Sequence, residues 1–359
     1  MQPSRHVQIG KNRIGSGEPI YFIADIAANH DGDLQRAKDL IWLAAESGAH
    51  AAKFQHFSAA TIVSDYGFRS LGQQQSHQQT WSKSVFEVYQ DASVNIEWNQ
   101  TLADNCKKAG IDFFTSPYSH ELIECIDSLV SAYKIGSGDI SWLDIVRHIA
   151  RKNKPVLIAT GASSLVDVQQ AVSTIIKINP QIVLMQCNTN YTGAPENFKY
   201  INLNVLKTYR ELYPDIILGL SDHSPGHTTV LGAIALGACV VEKHLTDDND
   251  RVGPDHKFSM NGKSWREMVN RTHELELALG DGIKRVEENE EKTVIIQRRA
   301  MRATRSIKVG ETIRPTDFTP LRPCPRDALP LGEFMSVQGY RLKRNIERGD
   351  YLTMDDVRG

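Results

Sequence analysis

Two stretches in the second half of the chain decide the fold: Ile-Ile-Leu-Gly-Leu-Ser-Asp-His at residues 216–223 and Cys-Val-Val-Glu-Lys-His-Leu at residues 239–245. Each is an apolar run that gives way to polar side chains, which is typical of a strand buried on both faces. The same pattern occurs at residues 21–27, 51–57, 112–117, 132–137, 155–161 and 182–188. The sequence therefore predicts eight buried strands.

Helical patterns separate these strands. Apolar residues recur at spacings of three and four along residues 34–45, 165–175 and 265–279. Ser164 and Asp167 have the spacing of a capping box at the start of the second pattern. Alternating strands and helices predict an α/β fold, either a closed (β/α)8 TIM barrel or a doubly wound open sheet, and the count of eight favours the barrel. The tryptophans of the helical patterns are expected in the core: Trp42, Trp142 and Trp265.

The rest of the chain suggests a second, smaller domain. We assign residues 1–280 to the barrel, 281–299 to a charged linker and 300–359 to a small β-rich domain. An internal repeat supports that last assignment. At identical spacing, Ile307, Gly310, Glu311, Ile313, Asp317 and Phe318 match Ile346, Gly349, Asp350, Leu352, Asp356 and Val357. Within the barrel, the long segment 58–95 is expected to be a lid, an interface arm or a plain surface excursion.

Composition excludes several classes of protein. The 359 residues include 41 basic and 43 acidic side chains, so no global positive field exists to bind nucleic acid. The five cysteines are widely spaced and form no Cys-x-x-Cys pair, which indicates reduced thiols in a cytoplasm and no cysteine-based zinc site. No segment has the character of a signal peptide or a membrane span, so no membrane association is expected.

Polar residues at the strand ends indicate where the chemistry lies, because barrel active sites form at the carboxyl ends of the strands. Lys53, Gln55, Lys134 and His244 interrupt apolar runs. A buried lysine is costly unless an anion compensates it. Two such lysines, with several hydroxyl groups nearby, favour a phosphate or carboxylate ligand over pairing with core carboxylates.

A histidine ends each of the last two strands. His223 and His244 could share one divalent ion and leave positions open for oxygen ligands. Two alternatives remain open: the histidines form hydrogen bonds in the core, or His223 pairs with His227 instead. Pro225-Gly226 interrupts the turn between His223 and His227, which disfavours that pair.

Several motifs in the same order resemble the sialic acid synthase family over nearly the whole chain. They are the segment Ala24–Gly32, Lys53-Phe54-Gln55, the segment Tyr133–Gly138, the segment Gly219–His223 and Gly253-Pro254-Asp255. The resemblance implies a TIM barrel followed by an antifreeze-like (SAF) domain. It also implies condensation of phosphoenolpyruvate (PEP) with an N-acylated mannosamine-type sugar, which gives phosphate and a nine-carbon 3-deoxy-2-ulosonic acid.

The resemblance also implies roles for individual residues. Lys53 and Lys134 would hold the PEP anion, with hydroxyl contacts from Ser116, Ser137 and Ser221. His223 and His244 would bind Mn²⁺ or Mg²⁺. The sugar site would include Gln55, Tyr191 and Asp255, and Thr189, at the end of the sixth strand, is a further candidate for substrate binding. Arg322 would enter the active site of the partner subunit, which makes the expected homodimer swapped.

Three positions depart from the family pattern. Asp25 and Asp139 stand where the family usually has glutamate, and Ala159 stands where it has serine. PEP binding is expected to lose one hydroxyl contact. The acids on the sugar side are each one methylene shorter, so a modified amino sugar is expected as the acceptor. Either Asp25 or Asp139 is expected to transfer protons.

Two other functions remain open from the residues alone. A class I aldolase would use Lys134 or Lys53 to form a Schiff base with pyruvate and would need no metal. A non-enzymatic carbohydrate-binding protein would use the small C-terminal domain. The lysine pair and the histidine pair argue against the second, because a binding module needs neither.

Overall fold

The computed structural model describes residues 5–72, 78–79 and 81–358 and divides the chain into two compact units, Met1–Leu279 and Gly280–Gly359. The first unit opens with an antiparallel hairpin that the sequence analysis did not predict, β1 (His6–Ile9) with β2 (Asn12–Gly15). Eight parallel strands follow. They are β3 (Tyr21–Asp25), β4 (Ala51–His56), β5 (Asp112–Pro117), β6 (Tyr133–Ile135), β7 (Val156–Ala159), β8 (Ile182–Cys187), β9 (Ile217–Asp222) and β10 (Ala238–Thr246).

The sheet closes on itself. Each strand pairs with the next along the chain, and β10 pairs in parallel with both β9 and β3. The predicted (β/α)8 barrel is therefore confirmed, and the open sheet is excluded. The pairing register also places functional side chains next to one another, with Asp25 opposite Lys53 on one side and His244 on the other. A short strand, β11 (Met260–Asn261), extends the sheet beside β10.

Helices surround the barrel and fill the connections. Those after successive barrel strands are α1 (Leu34–Glu46), α5 (Asn99–Ala109), α6 (His120–Ile126), α7 (Leu143–Ala150), α8 (Leu165–Ile176), α9 (Val205–Leu212), α10 (Thr228–Ala235) and α11 (Gly262–Leu279). Segment 58–95 contains three more, α2 (Ala59–Ile62), α3 (Asp65–Ser70) and α4 (Val85–Ala92). The capping box between Ser164 and Asp167 is confirmed.

The tryptophan prediction is wrong for two of three residues. Trp265 is fully buried, where α11 packs its ring edge-on against Phe22. Trp42, on α1, and Trp142, which immediately precedes α7, are each 41% exposed. Apolar spacing located the helices, but it did not determine which flank of a helix an aromatic ring occupies.

The second unit is built on the internal repeat. Its strands are β12 (Ala300–Ala303), β13 (Phe318–Leu321), β14 (Arg341–Leu342) and β15 (Val357–Arg358), paired β12 with β13 and β14 with β15. Ile307 bridges Ile346, and the repeated Gly310 and Gly349 both adopt φ 86°, which favours glycine. Segment 281–299, assigned from the sequence to a charged linker, contains helix α12 (Glu291–Gln297).

Two further features bear on the expectations from composition. All five cysteines are free thiols. Among the described residues, no helix combines the length and the apolar character needed to span a bilayer.

Candidate active site

A cavity of about 440 Å³ opens at the carboxyl ends of the barrel strands. Twelve of the fourteen residues that the sequence analysis assigned to the site line this cavity: Asp25, Lys53, Gln55, Ser116, Lys134, Ser137, Asp139, Tyr191, Ser221, His223, His244 and Asp255. Ala159, the position that lacks the family's hydroxyl, lines it as well. Residues up to 230 positions apart in the chain thus face one space.

The other two assigned residues are described by the structure but do not line this cavity. Thr189 packs behind Gly161, where a Cβ would lie 2.4 Å from the Thr189 methyl group. Arg322 belongs to the second unit, where its Nε donates to the backbone oxygen of Gln297 at 2.7 Å. His227, the alternative metal ligand, immediately precedes α10 and is not among the lining residues.

Both buried lysines are held by buried carboxylates, which is the pairing that the sequence analysis disfavoured. Nζ of Lys53 donates to Oδ2 of Asp25 at 2.6 Å and lies 3.5 Å from Oε1 of Glu242. Nζ of Lys134 donates to the same Oε1 at 2.7 Å and to the hydroxyl of Ser221 at 3.4 Å. Burial opposes ionisation, but the charge of each partner prevails, so the pKa of Lys53 is raised and that of Asp25 is lowered. We refer to Asp25, Lys53, Lys134 and Glu242 as the buried charge quartet.

Lys243 provides a contrast within the same barrel. Its Nζ donates to Asp222 at 2.7 Å and to the backbone oxygens of Ser224 and Gly226 at 2.6 and 3.1 Å. These three acceptors saturate its three N–H donors, and Lys243 does not line the cavity. The contacts of Lys53 and Lys134 account for only two donors each, and both lysines face the cavity. Their ammonium groups retain hydrogen-bonding capacity for a ligand.

Glu242 is the residue that sequence reasoning missed. Its Oε1 binds the Lys134 ammonium group and accepts a hydrogen bond from Ser221 at 3.2 Å. Its Oε2 is buried without a hydrogen-bond partner among the described residues. The signal was present in the sequence, because alternate residues of a strand share one face and Glu242 is two residues before His244.

The two histidines lie side by side, with ring centroids 5.3 Å apart. Nδ1 of His223 donates to the backbone oxygen of Asn188 at 2.8 Å, since a carbonyl oxygen only accepts, and Nε2 is left as the ligand atom. Burial lowers the pKa of His223, but the adjacent Cys187 thiol raises it, and the net direction is upward. A proton and a metal ion would therefore compete for Nε2.

His244 has the clearest indication of a missing partner. Its Nδ1 is buried without a hydrogen-bond partner among the described residues, while Nε2 lies 3.4 Å from Oδ2 of Asp25. Burial, opposed by the Asp25 charge, lowers the pKa of His244 to about 3, which keeps the imidazole neutral as metal binding requires. The described residues contain no set of three or more His, Cys, Asp or Glu side chains arranged around one ion. The two imidazoles fit an ion whose other ligands are water or substrate oxygens.

Two acids at the outer part of the cavity differ from Asp25. Burial raises the pKa of Asp139 to about 6. Burial also raises the pKa of Asp255 to about 6, although Oδ2 of Asp255 accepts a hydrogen bond from the backbone N–H of Ala28 at 3.1 Å. Both groups can therefore gain or lose a proton near neutral pH, whereas Asp25 stays ionised beside Lys53.

Described residues of the segment 58–95 form one wall of the cavity. Ile62, Val88, Tyr89 and Ala92 line it, and the last three are on one face of α4. Sequence analysis left open whether this segment is a lid, an interface arm or a plain surface excursion. Its placement beside the cavity is consistent with the lid interpretation.

These features define a (β/α)8 barrel with a polar cavity at the carboxyl ends of its strands, lined by two buried lysines and two adjacent histidines. The sequence profile of the NeuB family matches residues 40–284, and that of the SAF domain matches residues 298–358. The chain belongs to the NeuB family and carries a C-terminal SAF domain.

Individual relatives agree with this assignment. The chain is 32% identical to the N,N'-diacetyllegionaminic acid synthase of Campylobacter jejuni, over 84% of this chain and 90% of that protein. It is 31% identical to the N,N'-diacetyllegionaminic acid synthase of Legionella pneumophila, over 96% of each. The crystal structure of the N-acetylneuraminic acid (sialic acid) synthetase of Leptospira borgpetersenii, in complex with citrate, superposes with a TM-score of 0.70 at 27% identity, covering 82% of this chain and 96% of that one.

The buried charge quartet leads to a prediction about stability. Lys53→Met leaves the Asp25 carboxylate buried without its partner, and we expect it to lower the free energy of unfolding by about 3–5 kcal/mol. The matched control is Lys83→Met, which breaks a pair of the same 2.6 Å length with Asp91 whose side chains are 59% and 60% exposed. This control should leave the urea midpoint unchanged. Equal midpoints for the two variants would show that the buried pair contributes nothing.

The raised pKa of Asp139 leads to a prediction about pH. An aspartate whose pKa is raised in the folded protein lowers the free energy of unfolding when it ionises. For Asp139 this loss begins as the pH rises above about 4, and it is complete above the folded-state pKa of about 6. Asp139→Asn should therefore be more stable than the wild type by about 1–3 kcal/mol at pH 7.5, and the difference should vanish near pH 4.

Urea unfolding at both pH values measures this difference. Asp104→Asn, on the exposed side of α5, is the control and should not change the pH dependence. If Asp139→Asn raised the free energy of unfolding by the same amount at both pH values, the destabilisation by Asp139 would not come from its ionisation.

Proposed function

We propose that the protein condenses PEP with an N-acylated mannosamine-type sugar, giving a nine-carbon 3-deoxy-2-ulosonic acid and phosphate. The observation that carries this proposal is the pair of buried ammonium groups, Lys53 and Lys134, which face one cavity with hydrogen-bonding capacity to spare. Membership of the NeuB family and relatives named as synthases of nonulosonic acids support it.

PEP occupies the inner part of the cavity in this proposal. Lys53 and Lys134 bind its phosphate and carboxylate, and the hydroxyl groups of Ser116 and Ser137 donate hydrogen bonds to the remaining oxygens. Ser221 joins them by turning its one hydroxyl proton from Oε1 of Glu242 to PEP. Ser137 already accepts a hydrogen bond from the backbone N–H of Gly161 at 2.9 Å, which orients its hydroxyl group. The aliphatic Ala159 side chain offers no such donor.

The acceptor sugar occupies the outer part, between Gln55, Tyr191, Asp139 and Asp255. C3 of PEP forms a carbon–carbon bond to the aldehyde carbon, and the aldehyde oxygen takes a proton. Water adds to C2 and loses a proton, and the bond between C2 and the phosphate oxygen then breaks, releasing inorganic phosphate. The product keeps the three carbons of PEP and the six of the sugar.

His223 and His244 are the residues that would hold Mn²⁺ or Mg²⁺. When bound, a divalent ion supplies Lewis-acid polarisation of the aldehyde oxygen. The charges of the quartet support a requirement for such an ion. Two ammonium groups and two carboxylates cancel, so the negative charge of PEP needs a further cation close by.

Asp139 is our choice for proton transfer. Its pKa of about 6 lies near the working pH, as efficient general acid–base catalysis requires. Asp25 is less suited, because it accepts from Lys53 at 2.6 Å and from Nε2 of Gln55 at 3.0 Å. We assign Asp25 the role of positioning the Lys53 ammonium group.

The site disfavours both other functions. A Schiff-base aldolase needs a neutral lysine amine. The carboxylates beside Lys53 instead raise the pKa of that lysine against the effect of burial. Borohydride should therefore not trap pyruvate on the protein. A carbohydrate-binding role for the small domain leaves the cavity of the first unit unexplained.

The five free thiols favour a cytoplasmic location for the enzyme.

Release of phosphate from PEP tests the function and its metal requirement together. We expect release only when both an N-acyl amino sugar and Mn²⁺ are present, with a nine-carbon acid as the product in mass spectrometry. EDTA should abolish turnover, and so should His223→Ala and His244→Ala. His227→Ala is the matched control and should keep activity. Full activity in excess EDTA would reject the metal site. The absence of phosphate release with every N-acyl amino sugar tested would reject the function.

We extend the proposal to a homodimer in which Arg322 serves the active site of the partner subunit. Arg322 lies between Pro320 and Pro323, which restrict its backbone, and its rigid guanidinium group suits a carbonyl or carboxylate. Within its own unit it contacts the backbone of Gln297, which leaves further N–H donors available.

Subunit mixing tests this arrangement. Arg322→Ala and His223→Ala should each be inactive alone, and activity should return when the two proteins exchange subunits, because a mixed dimer contains one intact site. A mixture that stays inactive after exchange, as verified by mass spectrometry, would show that Arg322 does not act across subunits.

A further inference from the structure

Two loops at the carboxyl ends of neighbouring barrel strands are joined by buried hydrogen bonds. One loop, residues 26–33, follows β3, and the other, residues 247–259, follows β10. Asn29 is fully buried and uses both of its amide protons in this connection. It donates to the backbone oxygen of Leu245 at 2.8 Å and to the hydroxyl group of Ser259 at 2.9 Å. Segments more than 200 positions apart in the chain are thereby held together.

His256 joins the same loops a second time. Its ring is fully buried, with Nε2 2.8 Å from Oδ1 of Asp31 and Nδ1 2.8 Å from the hydroxyl oxygen of Thr246. Because a carboxylate only accepts hydrogen bonds, Nε2 is the donor to Asp31. The loop backbone also closes over this ring, since a Cβ on Gly253 would lie 2.6 Å from Cδ2 of His256. We refer to Asp31, Thr246 and His256 as the loop clamp.

The short helical turn at His256–Phe258 has the clamp on one side and the cavity on the other. Asp255, immediately before the turn, lines the cavity, and its backbone oxygen accepts from the Ser259 hydroxyl group at 2.6 Å. At the end of the turn, the Phe258 ring packs against His244 with ring centroids 4.8 Å apart. The position of the clamped histidine therefore determines where the Asp255 carboxylate lies.

The backbone of the β3 loop also indicates that its conformation is imposed by its contacts. Ala27 adopts φ 46° and Asp31 adopts φ 52°, a region that residues with a Cβ rarely occupy. Such conformations persist where the surrounding structure determines them, and they are frequent at functional sites. Between these two residues, the backbone N–H of Ala28 donates to Oδ2 of Asp255 at 3.1 Å. The loop thus presents a donor to the acid that the clamp holds.

We propose that the loop clamp is a positioning element, which holds Asp255 in the orientation that the acceptor sugar requires. None of its three residues lines the cavity, so each acts through Asp255 rather than on a substrate. A displacement of about 1 Å at a reacting group can lower a rate roughly 100-fold. The inference rests on the proposed condensation and assigns a role to residues outside the machinery described above.

The test variant is His256→Leu, which removes both hydrogen bonds of the ring and keeps the buried space filled. With the N-acyl amino sugar that the wild type uses best, kcat/KM for the acceptor should fall roughly 10- to 100-fold. The Kd for PEP, from titration calorimetry with Mn²⁺, should stay within about twofold of the wild type. Within the described part of the chain, the hydrogen bonds of the clamp do not involve the buried charge quartet. General structural damage would weaken both substrates.

Three further variants define the effect. Asp31→Gly removes the partner carboxylate, leaves the buried ring in place and tolerates φ 52°, so it should show the same selective loss. His256→Gln retains a side-chain N–H donor for Asp31 and should restore most of the lost kcat/KM. The matched control is His148→Leu, which breaks a bond of the same 2.8 Å length from Nε2 to Glu124, whose side chain is 59% exposed. This control should leave both quantities unchanged.

Hydrogen exchange measured by mass spectrometry tests the clamp without turnover. In His256→Leu, the amides of residues 26–33 should exchange faster together with those of residues 247–259, because the ring links the two loops. Faster exchange in residues 247–259 alone would show that His256 does not hold the β3 loop, and the proposal would be overturned.

The kinetic outcomes separate this proposal from the proposed function. If His256→Leu keeps the wild-type kcat/KM for the acceptor, or loses PEP affinity by the same factor, the condensation stands and the positioning role is overturned. If the wild type itself releases no phosphate with any N-acyl amino sugar, the condensation fails and the catalytic role of the clamp fails with it. The exchange measurement then still shows whether the two loops are joined.

Discussion

Four buried charges at the carboxyl ends of the barrel strands govern the rest of the site. Asp25 and Glu242 hold the ammonium groups of Lys53 and Lys134 at 2.6 and 2.7 Å, in a region where an unpaired charge would be prohibitively costly. The carboxylates hold both lysine side chains in place before a ligand arrives. They also cancel the charge of the lysines, so in the proposed mechanism hydroxyl donors and a divalent cation would balance the remaining charge of PEP.

The barrel makes this arrangement possible through its register. Closure of β10 onto β3 brings His244 beside Asp25, and alternation along β10 turns Glu242 and His244 to the same interior while the intervening Lys243 pairs with Asp222. Chemistry is thus confined to one face of each strand end. Described residues of the segment between β4 and β5 line another wall of the cavity without contributing to the quartet.

Much of this could be read from the sequence, because it depends on local patterns. Continuous apolar runs revealed the eight strands, and polar residues that interrupt them revealed most of the cavity. The partners of the lysines could not be assigned, since Glu242 meets Lys134 only after the sheet closes. The N-terminal hairpin was missed because its strands, His-Val-Gln-Ile and Asn-Arg-Ile-Gly, are not continuous apolar runs. The exposure of Trp42 depends on neighbouring helices, which single-helix periodicity does not describe.

The central claim is that the buried charge quartet forms a preorganised PEP site. A direct measurement of PEP binding tests this claim best. Titration calorimetry with PEP in the presence of Mn²⁺, without acceptor, should give clear binding to the wild type. Lys134→Met combined with Glu242→Gln removes both charges of one pair, so the interior stays balanced and folding is preserved. We expect PEP affinity to fall by at least about 30-fold, equivalent to about 2 kcal/mol. Wild-type affinity in this double variant would contradict the account.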